Sequence, residues 1–152
     1  MSAALLRRAL PVDSVAVAEI HIAARRRAMP YLPELHSDAE IHAWVRGTLI
    51  TRAEVWLAET GEHPSGYMAL VGQTLDHLYV APEQQGRGIG SMLLKKAKML
   101  RPDGLQLYAF QRNHRARAFY EARGFKAVAF SDGADNEEKE PDVLYQWPAR
   151  AS

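Results

Sequence analysis

The chain has 152 residues, 47% of them hydrophobic and 24% charged, the size and composition of one folded domain with a substantial core. Nineteen basic and eighteen acidic residues leave a net charge of +1, so the overall balance points to neither nucleic acid nor a membrane surface as partner. With no cysteine, a disulfide framework, a thiolate metal site and a cysteine-bound acyl group are all excluded. The opening stretch MSAALLRRALPVD turns basic too early for a signal peptide, and no apolar run approaches membrane-spanning length. A cytoplasmic location is the resulting expectation.

Leu5 to Arg8 reads as a first strand, ended by Pro11. Asp13 is the expected N-cap of a helix whose apolar stripe is Val17, Ile20, His21, Ala24 and Ala28. After the break MPYLPELH, Ser37 and Glu40 form a capping box ahead of Ile41, Trp44, Val45 and Leu49. EVWLAE and GYMALVG are strands two and three, joined by a hairpin turn over TGEHPS, and LDHLYV is strand four. The next helix carries Ile89, Met92, Leu93, Ala97 and Leu100 on one face, with Lys95, Lys96 and Lys98 largely away from it. LQLYAF is strand five, HRARAFYEAR a helix closed by Gly124, KAVAFS strand six and DVLYQW strand seven. The order predicts a single α/β domain over residues 1–152, with a mixed central sheet of about seven strands and helices on both faces. An exposed edge on strand seven would make a homodimer reasonable.

Between strand four and the lysine-bearing helix stands QQGRGIGSMLL, with glycines at 86, 88 and 90. Three glycines in five residues cost conformational entropy and call for a reason. Strand, glycine turn and helix together form an anion site, because N–H groups of the first helical turn lack partners and the helix dipole favours negative charge. A nucleotide triphosphate loop needs Gly-Lys followed by a hydroxyl residue, and no Gly-Lys pair exists in the chain. A dinucleotide fingerprint needs a third glycine where Ser91 stands, and belongs on the first strand of its fold. The acyl-CoA pyrophosphate loop, Gln/Arg-x-x-Gly-x-Gly/Ala, fits at every position as Gln85-Gly86-Arg87-Gly88-Ile89-Gly90.

With LDHLYVAPEQQGRGIGSMLL and NHRARAFYEARGF in view, the chain resembles the GNAT superfamily of acyl-CoA-dependent N-acetyltransferases. The element order matches over nearly the whole length, and the specific motifs lie between Leu75 and Phe125. The resemblance implies acetyl-CoA as acyl donor and no metal. It implies a pyrophosphate cradled by Gly86, Gly88, Gly90 and the N–H groups of Arg87 to Ser91, with Arg87 adding charge. Backbone groups of Leu78, Tyr79 and Val80 would meet the pantetheine arm, joined by Asn113. Phe119 packs beside them, and Tyr120 sits near the thioester sulfur as general acid. Seven residues are nearly two helical turns, so Asn113 and Tyr120 share a face. Each has a plain structural alternative: Asn113 as a helix N-cap, Tyr120 and Phe119 as core aromatics.

Transfer to an amine also needs a base. Asp76 is the first candidate, a few residues upstream of the loop; His77 is the second, with an ordinary pKa suited to neutral chemistry. Adjacent strand residues face opposite sides, so only one is expected in the cleft. The segment SDGADNEEKEPD sets Asp132, Asp135, Glu137, Glu138, Glu140 and Asp142 against Lys139, either a solvated hairpin tip or an attraction for a cationic amine. Arg25 to Arg27 complement a helix C-terminus. Tyr31, Leu32 and Trp44 lie where the resembling family lines its acceptor cleft. The expected acceptor is a small or peptide amine. A non-catalytic acyl-CoA-binding module and a protein-interaction module on the same fold are the alternatives.

Overall fold

The computed structural model describes residues 4–148. Seven strands form one sheet in the order β1-β2-β3-β4-β5-β7-β6, where β1 is Ala4–Arg8, β2 Glu54–Thr60, β3 His63–Val71, β4 Thr74–Val80, β5 Leu105–Phe110, β6 Lys126–Ser131 and β7 Asp142–Trp147. Every neighbouring pair is antiparallel except β4 and β5, which run parallel. Helices cover both faces. On one side α1 (Ser14–Ala28) and α2 (Asp38–Trp44) pack Val17, Ile20 and Trp44 against Val55, Leu57, Tyr67 and Ala69. On the other, α4 (Ile89–Leu100) and α5 (His114–Glu121) bury Leu93, Leu94, Ala97 and Tyr120 against Leu70, Leu107, Val143 and Tyr145. The α2 helix runs on through a π-helical stretch, Val45–Leu49, into the short α3, Ile50–Arg52.

The two halves of the sheet meet through a single register pair, Thr74 with Gln106. Beyond it β4 and β5 splay apart. One edge of β4 pairs with β3 from Thr74 to Val80, and its other edge is left without a strand over most of that length. This opening makes the fold useful, because it exposes unpaired backbone groups inside an otherwise closed sheet.

Four expectations change. The β2–β3 hairpin narrows to Gly61 and Glu62, both at positive φ, so β3 begins at His63 rather than Gly66. Asp13 stands at the N-cap position of α1, but its side chain makes no capping hydrogen bond to that helix. It sits in a 3-10 turn, accepts the Leu10 N–H at 2.7 Å and is gripped by both Arg7 amino groups at 2.8 Å. Ala28 is exposed, outside the buried stripe of α1. Strand β7 is paired on both sides, with β5 and with β6, so the free edge belongs to β6 and β7 offers none for dimerisation.

Candidate active site

The loop after β4 takes the conformation its glycines permit. Gly86 has φ +83° and Gly88 φ +79°, the left-handed region where a side chain is strained. Gly88 is the N-cap of α4, and its carbonyl takes the first intrahelical bond from Met92 N–H at 3.0 Å. The N–H groups of Ile89, Gly90 and Ser91 are therefore left at the helix start. Arg87 stands exposed at the tip and Ile89 is buried in the core. Gln85 turns back to the strand and donates to the Val80 carbonyl at 3.3 Å, tying the loop to β4. Gly90 lies against the Phe119 ring, which a Cβ there would meet at 3.5 Å.

The splay between β4 and β5 is a cleft of about 680 Å³. Leu78, Tyr79, Asn113 and Tyr120 line it, as do Asp76 and His77. Asn113 does cap α5, accepting the Ala116 N–H at 3.2 Å, and its Nδ2 makes no hydrogen bond among the described residues. Tyr120 packs edge-on against Phe119 and Phe125. Its hydroxyl has no partner among the described residues, and burial pushes its pKa well above the ordinary phenol value. It is a phenol that keeps its proton.

Asp76 and His77 both face the cleft, contrary to simple alternation. The reason is a β-bulge: Leu70 pairs with Leu75 and Ala69 with His77, so Asp76 is an extra residue opposite no partner. His77 lies half-buried with its ring 5.3 Å from that of His21 and 5.4 Å from that of Trp44, and Asp76 Oδ2 is 3.5 Å from its Nε2. Burial holds the His77 pKa below the ordinary imidazole value; Asp76 works against that shift and Arg25 with it. His77 is thus neutral and able to accept a proton near pH 7.

A second cavity, of about 710 Å³, lies between α1, α2 and the loop joining β6 to β7. Its walls are mainly apolar, with Ile22, Met29, Leu32, Ile41 and Trp44, while His21 and His77 stand in its lining. His77, Arg25, Met29 and Glu138 border both cavities, so the two spaces meet at His77. Tyr31 borders neither and instead lies under the Arg112 guanidinium, 4.0 Å from its ring centre.

The acidic loop is not a set of free charges. Glu137 bonds His36, Glu138 pairs with Arg25 at 3.3 Å, and Glu140 pairs with Arg112 at 2.7 Å. Asp142 accepts the Ser131 hydroxyl at 2.5 Å. Two of the loop's six carboxylates, Glu138 and Glu140, are thus paired with arginines from elsewhere in the chain.

Arg25 is the residue that sequence reasoning missed. Rather than only ending a helix, it donates to the Tyr79 hydroxyl at 3.1 Å and so links α1, β4 and the acidic loop. Its place on the same helix face as His21, four residues earlier, was the available signal. His21 itself is buried, bonded through Nδ1 to the Tyr67 hydroxyl at 2.7 Å, and burial pushes its pKa down to about 2. Among the described residues no cluster of His, Asp and Glu is arranged to hold a metal, and no helix is long and apolar enough to cross a membrane.

A family model described as an acetyltransferase (GNAT) domain matches residues 51–127. The peptidyl-lysine N-acetyltransferase YjaB of Salmonella typhimurium is 37% identical over 87 residues, 57% of this chain and 59% of that protein's own length. YiaC of Escherichia coli, also named a peptidyl-lysine N-acetyltransferase, is 32% identical over 141 residues, 82% of this chain and 94% of YiaC. Among solved structures, apo-form YjaB from Escherichia coli superposes with a TM-score of 0.81 at 24% identity, over 97% of this chain and 99% of that one. The PaiA N-acetyltransferase of Thermoplasma acidophilum, in complex with coenzyme A, gives 0.70 at 19% identity, over 95% and 98%. These two likenesses show the fold.

Proposed function

The chain belongs to the GNAT family of acetyltransferases, and from that premise we propose that it moves an acetyl group from acetyl-CoA to a primary amine by direct attack in a ternary complex, with no covalent enzyme intermediate. The carrying observation is the positive-φ glycine loop that opens helix α4 directly after β4, the strand whose Leu78 and Tyr79 line the cleft together with Tyr120. Acetyl-CoA supplies the activated thioester when bound. The residues present suit it: N–H groups at the start of α4, with Arg87, hold the pyrophosphate. The edge of β4 at Leu78, Tyr79 and Val80, which carries no strand and where only the Val80 carbonyl is held, by Gln85, receives the amide-rich arm, and Asn113 offers its free Nδ2.

His77 accepts the proton of the incoming ammonium, with Asp76 beside it to stabilise the imidazolium. Tyr120, protonated at neutral pH, gives its proton to the departing thiolate. The acceptor in this reading is a lysine of a peptide. The names of YjaB and YiaC support it, and so does the second cavity, whose apolar walls suit a four-carbon stem leading to His77.

The test is CoA release from acetyl-CoA with lysine peptides and a panel of small amines. Tyr120→Phe is expected to lower kcat by ~10²–10⁴-fold with CoA affinity nearly unchanged. A variant turning over at the wild-type rate would leave Tyr120 as a packing residue. Binding of acetyl-CoA without release on any amine would favour a non-catalytic acyl-CoA-binding module instead.

A further inference from the structure

Arg123 follows α5 and its main chain lies beside the far end of α4, where its carbonyl accepts the Lys98 ammonium at 2.6 Å. The side chain then runs back along α4 to the first turn. There Nε and Nη2 donate to Ser91 Oγ at 3.2 and 2.8 Å, Nη1 donates to the Phe119 carbonyl at 3.0 Å, and the guanidinium lies 3.9 Å from the Phe119 ring centre. Ser91 and Lys98 are seven residues apart, about 10 Å along the helix. A cation is favoured at the C-terminal end of a helix and disfavoured at the N-terminal end. Arg123 is nevertheless anchored at the wrong end, by neutral oxygens alone. Among the described residues it has no carboxylate within 4.0 Å, whereas Arg25, Arg26 and Arg112 each pair with one. A fixed guanidinium with no carboxylate partner, beside unpaired first-turn amides, can offer an anion charge-assisted hydrogen bonds.

We propose that Arg123 grips a phosphate of the nucleotide half of the coenzyme and so sets the preference for CoA over donors that lack it. The proposal rests on the acyl-CoA reading above and adds a specificity residue outside the glycine loop. Phe119 stacking and Ser91 pre-order the guanidinium fork, so that little side-chain entropy remains to be lost on binding. Two phosphates share this chemistry, the pyrophosphate and the ribose 3′-phosphate.

Calorimetric dissociation constants of CoA, 3′-dephospho-CoA and pantetheine, for the wild type and for Arg123→Gln, separate them. The expected result is a loss of about tenfold or more in CoA affinity, with pantetheine affinity unchanged. If dephospho-CoA is weakened as much as CoA, the contact is to the pyrophosphate; if only CoA is weakened, it is to the 3′-phosphate. Both outcomes support the proposal. Equal losses for all three ligands would make Arg123 a purely structural brace, and no loss would make it a bystander; either overturns it. Arg123→Lys, which keeps the charge without the fork, should recover part of the affinity, guarding against misfolding of the glutamine variant. A wild type that binds no CoA would overturn the donor assignment and this proposal with it, whereas a wild type that binds CoA while Arg123→Gln binds equally well overturns this proposal alone.

Discussion

His77 stands where the two cavities meet, and its protonation state decides what it can do. Its pKa lies below the ordinary imidazole value because burial penalises the charged ring and Arg25 repels it. If it is the base, kcat/KM should fall on the acid side along a limb below the unperturbed histidine pKa of ~6.5. His77→Gln should remove that limb and lower the plateau by ~10²-fold or more. Asp76→Asn should shift the limb to lower pH, because the carboxylate is the one neighbour favouring the imidazolium. An acid limb unchanged in His77→Gln would assign it to another group. Sequence alone left Asp76 ahead of His77, and alternation admitted only one of them. Which of two adjacent polar residues enters a cleft is decided by pairing in the neighbouring strand, and a bulge leaves no mark in side-chain type.

At the scale of elements, the loops α1–α2 and β6–β7 are fastened together across the mouth of the second cavity by His36 with Glu137, and α1 is fastened to the β6–β7 loop by Arg25 with Glu138. The Arg25 pair is partly sheltered, with side chains 25% and 19% exposed, so salt screens it less than it would a surface pair. Glu138→Gln should therefore change acceptor KM by several-fold, either way, while leaving the CoA dissociation constant unchanged; titrations of both substrates in the variant check it. An altered CoA affinity with an unaltered acceptor KM would detach this contact from the acceptor side. The elements themselves were readable from alternation and from local signals such as the Ser37–Glu40 capping box, which forms with both of its hydrogen bonds. Their partners were not. Six carboxylates in one loop look like an unscreened field until Arg25 and Arg112, distant in sequence, are folded onto two of them and His36 onto a third.

For the whole molecule, two neutral histidines in and beside one core tie stability to pH. His21 titrates near 6.5 when unfolded but at about 2 when folded, and His77 is also lowered. The unfolded chain therefore binds more protons across this window, so stability is fully present above pH 6.5 and is lost as pH falls below it. Each group alone contributes a slope of up to about 1.4 kcal/mol per pH unit. Urea midpoints measured from pH 7.5 to pH 5 should decline, and His21→Asn should flatten the decline even if it lowers the midpoint overall; equal slopes in the two proteins would remove His21 from the balance. The sheet's edges, too, belong to the whole chain. Strand β7 inserts between β5 and β6, so its place in chain order says nothing of its place in the sheet, and only the closed topology reveals that.

The bulge in β4 leads to a point about chain length. Leu75, Leu78 and Val80 face α4, whereas His77 and Tyr79 face α1. With Asp76 struck out, Leu75, His77, Leu78, Tyr79 and Val80 alternate without interruption, and Leu75 and His77 already oppose consecutive residues of β3. Position 76 is thus supernumerary to the ladder, a slot that a single-codon loss would vacate without reversing any neighbour. Loss of Leu78 would instead turn one part of the strand inside out relative to the other.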